Sequence, residues 1–244
     1  MILLKMFNRK WLFTTFLVLA GTVLCIRLGI WQLDRLEQRR AFNAQVESMR
    51  AATLLDLNQG WPDTIEFMEW RAVTVTGEYD FDNQVVLRNQ YYGEQYGYHL
   101  VTPLRFDGEA VLVDRGWIPA DGNEAPQDWR KYDESGPVTV TGQIRLGQGK
   151  PAFGGVAEAE LNSGQTRRVA WNNLDVPGIS GQIPNRTLPV YIQPNAFEND
   201  VQPPIPSQPV LELTEGPHFG YALQWFTFAT ILSIGYPFYL RRQD

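Results

Sequence analysis

The sequence predicts an α+β membrane protein in which two transmembrane helices flank an exported, predominantly antiparallel β-rich domain. Three observations predict it. Trp11–Leu33 carries one charge, Arg27, in 23 residues; Phe219–Leu240 carries none in 22; and between them the hydrophobic period switches to two over seven short segments. A bilayer core is crossed by about 20 residues rising about 1.5 Å each, so both apolar runs are long enough to span it.

Residues 1–10 form a short N-terminus holding Lys5, Arg9 and Lys10. The first span covers 11–33, with Arg27 snorkelling to the interface near its end. No small-x-small cleavage site follows Ile26, so the pattern reads as an anchor and not as a cleaved signal; the ten leading residues are not rich in Arg and Ser, as an organellar transit peptide would be. The exported domain is 34–193. Its first part, DRLEQRRAFNAQVESMR, spaces Leu36, Ala44 and Val46 among charges without Gly or Pro, which extends the first helix to about Met49. The strand segments follow: Ala72–Tyr79, Gln84–Asn89, Tyr98–Arg105, Ala110–Ile118, Val138–Arg145, Arg168–Trp171 and Leu188–Ile192. Val73–Gly77 and Val138–Gly142 both read VTVTG, which predicts two similarly placed strands, each with a glycine at a bulge or bend. Gly147–Gly164, with five glycines, reads as a mobile loop and lacks the phosphate-loop pattern. Residues 194–217, with six prolines, form an extended return linker to the second span, 218–240, and 241–244 close the chain.

The charge pattern orients the two spans. Arg241 and Arg242 follow the second, which only Glu212 and Glu215 closely precede; this places both termini in the cytoplasm and the middle outside the inner membrane of a bacterium, in the periplasm. Residues 41–216 hold 12 Lys+Arg against 24 Asp+Glu, so the exported part is acidic and the anchors are basic. With a net charge of -6 and no clustered basic surface, nucleic acid is excluded as a partner. Cys25 is the single cysteine, which excludes an intrachain disulfide and a Cys-rich metal site.

His99 and His218 are the only histidines. His99 lies in a strand segment and reads as a packed or surface strand residue, and no nucleophile–base–acid set assembles around it from the sequence. His218 opens the second span, and Tyr221, Ala222 and Trp225 share its helical face at i+3, i+4 and i+7. Two readings stand. Histidine and aromatics belong at a membrane interface, where Trp225 would join Trp31 in an aromatic belt. Alternatively, one imidazole with aromatic neighbours and the small residues Gly220 and Ala222 leaves room for a flat porphyrin whose iron takes a histidine nitrogen. Arg27 and Arg35 carry the same pair of readings: contact with the phosphates of membrane lipid, or with haem propionates.

Leu28-Gly29-Ile30-Trp31-Gln32-Leu33-Asp34-Arg35-Leu36 resembles the LGxWQLxRL signature that closes the first span in the surfeit-locus family of cytochrome c oxidase assembly factors. Arg71–Gly77, Gly97–Leu104 (GYHLVTPL) and Val111–Pro119 (VLVDRGWIP) are similar to further segments of that family, in the same order, and His218–Phe226 is similar to its HxxYAxxWF start of the second span. Asp114 stands where the family has Asn, and Gly216-Pro217 stand where it often has Asn-Asn. The resemblance implies a non-enzymatic role: assembly of haem-copper cytochrome c oxidase, by receiving haem a and helping to place it in the catalytic subunit, with haem a synthase as a further partner. It implies His218 as the haem-iron ligand; helical spacing adds Tyr221 and Trp225 to that candidate site, and charge adds Arg35. The other function is a scaffold that docks on an oxidase assembly intermediate without binding haem, using the small residues Gly220, Ala222 and Ser233 for close helix packing.

Overall fold

The structure, a computed structural model, describes residues 6–149, 158, 167–196, 202–206 and 211–243. Most of the Gly147–Gly164 loop, and the parts of the 194–217 linker at 197–201 and 207–210, lie outside the described residues. By its internal contacts the chain divides into two units, Met1–Gln45 with Leu211–Asp244, and Val46–Val210.

The first unit is built on two helices. Helix α1, Leu12–Ala51, runs 40 residues without a break, with no proline in it to interrupt the passage from the apolar stretch into the charged one. Among the described residues it is the one helix both long and apolar enough to cross a membrane. The second helix of this unit, His218–Arg241, is uncharged from Phe219 to Leu240, but Gln224 and its threonines and tyrosines make it less apolar than the apolar part of α1.

The second unit is a β domain, and its strands follow the two-residue period. They are β1 (Leu55–Asp56), β2 (Ala72–Tyr79), β3 (Val85–Tyr92), β4 (Gln95–Phe106), β5 (Glu109–Pro119), β6 (Val138–Arg145), β7 (Ala170–Trp171) and β8 (Arg186–Pro194), with a short helix α2 (Val176–Ser180) before β8. The helix of the first unit at His218–Arg241 is then α3. The sheet order is β1-β2-β6-β8-β5-β4-β3-β7, and β2 also pairs with β4, so β2, β6, β8, β5 and β4 close into a barrel-like ring. Most pairings are antiparallel; β1 with β2, β3 with β7 and β5 with β8 are parallel. The two-residue strand β1 has no period to read, and the sequence does not reveal it. The β3–β4 hairpin runs further than its pattern suggests, because Tyr91 pairs with Tyr96 and Tyr92 with Gln95 at its tip.

The repeated VTVTG finds its explanation in the ring. β2 and β6 pair antiparallel about Val75 and Val140, so the two copies lie against each other in reverse. Val73, Val75 and Val140 point into the core, while Thr74 meets Thr141 at 3.3 Å and Thr76 meets Thr139 at 2.8 Å on the outside. Each glycine end lies where another strand comes close: a Cβ on Gly77 would fall 2.2 Å from the Arg105 carbonyl oxygen, and one on Gly142 2.2 Å from that of Gln193.

The ring interior is filled by Val73, Val75, Leu104, Val111, Val113, Ile144, Leu188, Val190 and Ile192. A second cluster, with Leu87, Val101, Leu112 and Trp171, packs on Val176 and Ile179 of α2. β5 sits between the two, Val111 and Val113 facing one and Leu112 the other, which is why it is buried almost end to end.

Candidate functional site

The candidate site lies at the N-terminal end of α3, in the first unit. α1 and α3 run antiparallel and meet along a seam with a seven-residue period. On α3 it is Ala222, Ala229 and Tyr236; on α1, Cys25, Gln32, Leu36 and Asn43 are buried at the matching spacings. Small residues permit the close approach: a Cβ on Gly29 would fall 2.7 Å from the Phe226 ring. At one end of the pair Thr15 Oγ1 and Tyr236 Oη are 2.6 Å apart, and the Trp11 and Tyr239 rings meet edge to face.

At the other end is the imidazole. His218 Nδ1 donates to Gln32 Oε1 at 2.8 Å, joining the segment that closes the apolar part of α1 to the segment that opens α3. The chain leading into α3 is fastened by α1 as well. Arg39 donates from Nε to the Thr214 carbonyl at 3.0 Å and from Nη2 to the Glu212 carbonyl at 2.6 Å, and Asn43 Nδ2 donates to the Thr214 carbonyl at 3.3 Å. Arg40 forms a two-pronged pair with the Glu215 carboxylate at 2.7 and 2.9 Å, which holds that exposed carboxyl below its usual range. Together these bonds hold the residues before His218 against α1.

Of the other residues singled out from sequence, Tyr221 is exposed one turn beyond His218, and Trp225 is half-buried with its ring edge-on to Phe228 at 6.0 Å. Arg35 is exposed, and its Nη1 donates to Gln38 Oε1 at 3.0 Å, one turn along the same helix. Gln32 was not among the residues singled out. The signal was there: a carboxamide in the apolar part of a helix needs a partner, and the partner is 186 residues away.

The β domain holds the second histidine. His99 Nδ1 lies 2.9 and 3.0 Å from the two Asp114 carboxylate oxygens across the β4–β5 pair, and Asp114 Oδ1 also accepts from the Gly116 N–H at 3.2 Å. The pair borders a cleft of about 310 Å³ lined also by Leu87, Gln90, Arg145 and Tyr191, and among the described residues that line it there is no serine, threonine or cysteine. Burial works against a charge on His99, but the Asp114 carboxylate, by its charge and its hydrogen bond, more than offsets it, so the imidazole titrates above its ordinary value. A group with a raised folded-state pKa contributes stability in full below its unfolded value, and that contribution is lost as the pH rises through the folded value. The urea midpoint of the β domain is therefore expected to fall as the pH rises above the ordinary histidine value of about 6.5, and to fall less in His99→Gln; equal slopes in the two proteins would refute the ion pair.

Arg115, next to Asp114, is buried and committed to the protein. Its Nη2 donates to Glu134 Oε1 at 2.7 Å and to the Tyr132 carbonyl, its Nη1 donates to Gln84 Oε1 at 3.2 Å, and its guanidinium lies over the rings of Tyr79 and Phe81. Burial pushes the Tyr79 hydroxyl up to about 12 although Arg115 pulls it down, so Tyr79 stays neutral. Trp117 packs on Tyr92. Among the described residues no group of three His, Cys, Asp or Glu could hold a metal ion.

The SURF1 family model matches residues 19–230, from within α1 to within α3. The chain belongs to the SURF1 family. An uncharacterized SURF1-like protein of Mycobacterium bovis is 29% identical over 236 residues, 92% of this chain and 81% of its own. SURF1-like proteins of Rickettsia conorii and Monosiga brevicollis are each 26% identical; the first covers 94% of this chain and 92% of the relative, the second 88% and 82%. The role of the SURF1 family is in the assembly of cytochrome c oxidase, and it is not catalytic. The matched residues include both Gln32 and His218, so the SURF1 match takes in both halves of the helix-pair site.

Proposed function

We propose that this chain is a two-pass protein of the bacterial inner membrane, with its β domain on the periplasmic side, that receives haem a and helps to place it in the catalytic subunit of cytochrome c oxidase. In this reading haem a synthase is the source of the haem, and His218 is the residue that takes it. The observation that carries the reading is the commitment of His218 Nδ1 to Gln32. Among the described residues no protein group bonds Nε2, which leaves that nitrogen for a ligand. The surroundings fit a flat aromatic guest: Tyr221 is exposed one turn away, and a Cβ added to Gly220 would meet nothing within 4 Å. When bound, haem supplies an iron that accepts an imidazole nitrogen as axial ligand. Trp225 offers a ring near the same face, and Arg35 a cation one turn from Gln32 for a propionate or a lipid phosphate. A single protein ligand at an open helix end suits a carrier, which must let its cargo go.

The test is an absorbance spectrum with pyridine haemochrome analysis of detergent-purified protein, made in cells that produce haem a. Wild type is expected to carry haem. His218→Ala is expected to lose at least about nine-tenths of it, in line with removal of a metal ligand, at unchanged helix content. A folded, membrane-inserted wild type without haem would overturn the reading and favour a scaffold that docks on the oxidase intermediate. Ala222 is already spent on packing against α1, so such a scaffold would have Gly220 and Ser233 left on the exposed surface of α3.

A further inference from the structure

We infer that Gln32 is the positioning residue of the haem site: it holds His218 in the Nδ1–H tautomer with Nε2 presented as the ligand nitrogen, and, as a neutral amide, it keeps that nitrogen a moderate donor from which cargo can leave. The inference rests on the haem-receiving reading of His218, but its first half concerns the protein alone.

Gln32 occupies a seam position with 9% of its surface exposed. Its neighbours along the seam, Cys25, Gly29 and Leu36, are small or apolar. A carboxamide at such a place costs free energy unless its polar atoms are bonded. The bond it makes is the one to His218 Nδ1. An imidazole that donates from Nδ1 carries its lone pair on Nε2, so the acceptor on one side decides which nitrogen is offered on the other. The same bond fixes the plane of the ring, since Gln32 is held by α1 and His218 by the first turn of α3.

The chemical type of the acceptor then sets the strength of the ligand. A carboxylate on the Nδ1 proton draws it away, makes Nε2 more basic and stabilises ferric iron; an amide oxygen does so far less. An amide therefore suits transfer, whereas a carboxylate would suit retention. The cluster Arg39, Arg40 and Asn43, which fastens residues 212–215, supports the geometry from the other side, because the backbone entering His218 is tied to the helix that carries Gln32.

The experiment uses the full chain in detergent, first without haem. The protein has two histidines, so ring-¹⁵N spectra of histidine-labelled wild type and His218→Ala identify the His218 signals by difference. Wild type is expected to show the Nδ1–H form of His218. Gln32→Met, close in shape but without an acceptor at that position, is expected to lose it in favour of Nε2–H or a mixture, with the helix pair intact by circular dichroism. An Nε2–H ring in wild type, or an unchanged Nδ1–H ring in Gln32→Met, would overturn the inference whatever haem does. Haem is then added. Gln32→Met is expected to bind it about 10–100-fold more weakly, while Gln32→Glu is expected to bind ferric haem more tightly and to lower the iron's reduction potential. Equal affinity and potential in all three would overturn the second half. An Nδ1–H ring in a wild type that takes up no haem would instead overturn the carrier reading and leave the positioning of His218 standing.

Discussion

Replacing Arg115 with alanine is expected to destabilise the β domain by about 3 kcal/mol, read as a fall in the urea midpoint with the slope unchanged. The side chain is 3% exposed and bonds three elements at once: Gln84 at the start of β3, the Tyr132 carbonyl at the end of the turn Pro126–Tyr132, and Glu134 beyond it. Its removal strips a charged donor from the Gln84 oxygen and the Tyr132 carbonyl and opens a void beneath Tyr79 and Phe81, over which the guanidinium lies at 4.9 and 5.2 Å. The Glu134 carboxylate adds little to the loss, since it is mostly exposed and water replaces its partner. Arg115→Lys is expected to recover only part of the stability, because an ammonium cannot present two prongs in the plane of the fork. A lysine variant as stable as wild type would mean that charge alone matters at this position.

Gly116→Ala is expected to cost as much or more, about 3 kcal/mol at least. Gly116 has φ +117, outside the range that a side chain tolerates, and a Cβ there would fall 2.2 Å from the Ile205 carbonyl oxygen and 2.6 Å from the Pro206 nitrogen. The position is tight because β5 bulges there: Leu100 faces Gly116 and Val101 faces Asp114, so Arg115 is the extra residue. The bulge turns Arg115 inward and lets Trp117 pair with Ile205 through hydrogen bonds of 2.8 and 2.9 Å. The alanine variant must give up either the bulge or that pairing. The accompanying sign is a shift in tryptophan fluorescence and faster protease cleavage near Ile205; an unchanged midpoint with intact resistance would show that the chain at 202–206 adapts freely.

Both of these residues lie in VLVDRGWIP, where the sequence shows a strand and a family likeness but no reason for Arg or Gly. The reason is tertiary: the carboxylate that Arg115 meets belongs to Glu134, and the backbone that crowds Gly116 belongs to residues 205 and 206. The site divides in the same way. His218, Tyr221 and Trp225 share a helix face by spacing alone, whereas Gln32 gains its place only when α1 and α3 meet. Arg35, grouped with them from sequence, is hydrogen-bonded to Gln38 along its own helix, because residues three apart are neighbours on a helix surface.

By itself the sequence determined the kinds and approximate places of the main elements: the long apolar stretch of α1, the alternating strands of the β domain, and the apolar and polar faces of the two VTVTG segments. These follow from local periodicity, which records which side of an element meets water and which does not. Only the tertiary structure decided that the two VTVTG segments pair with each other, that β2 returns to β4 to close the ring, that β5 and β8 run parallel, and that Gln32 meets His218. Periodicity says that a face is buried, but any complementary face would satisfy it. The partner is chosen by the packing of the whole chain and by the need of each buried polar group for a bonded neighbour, and neither is written in any one segment.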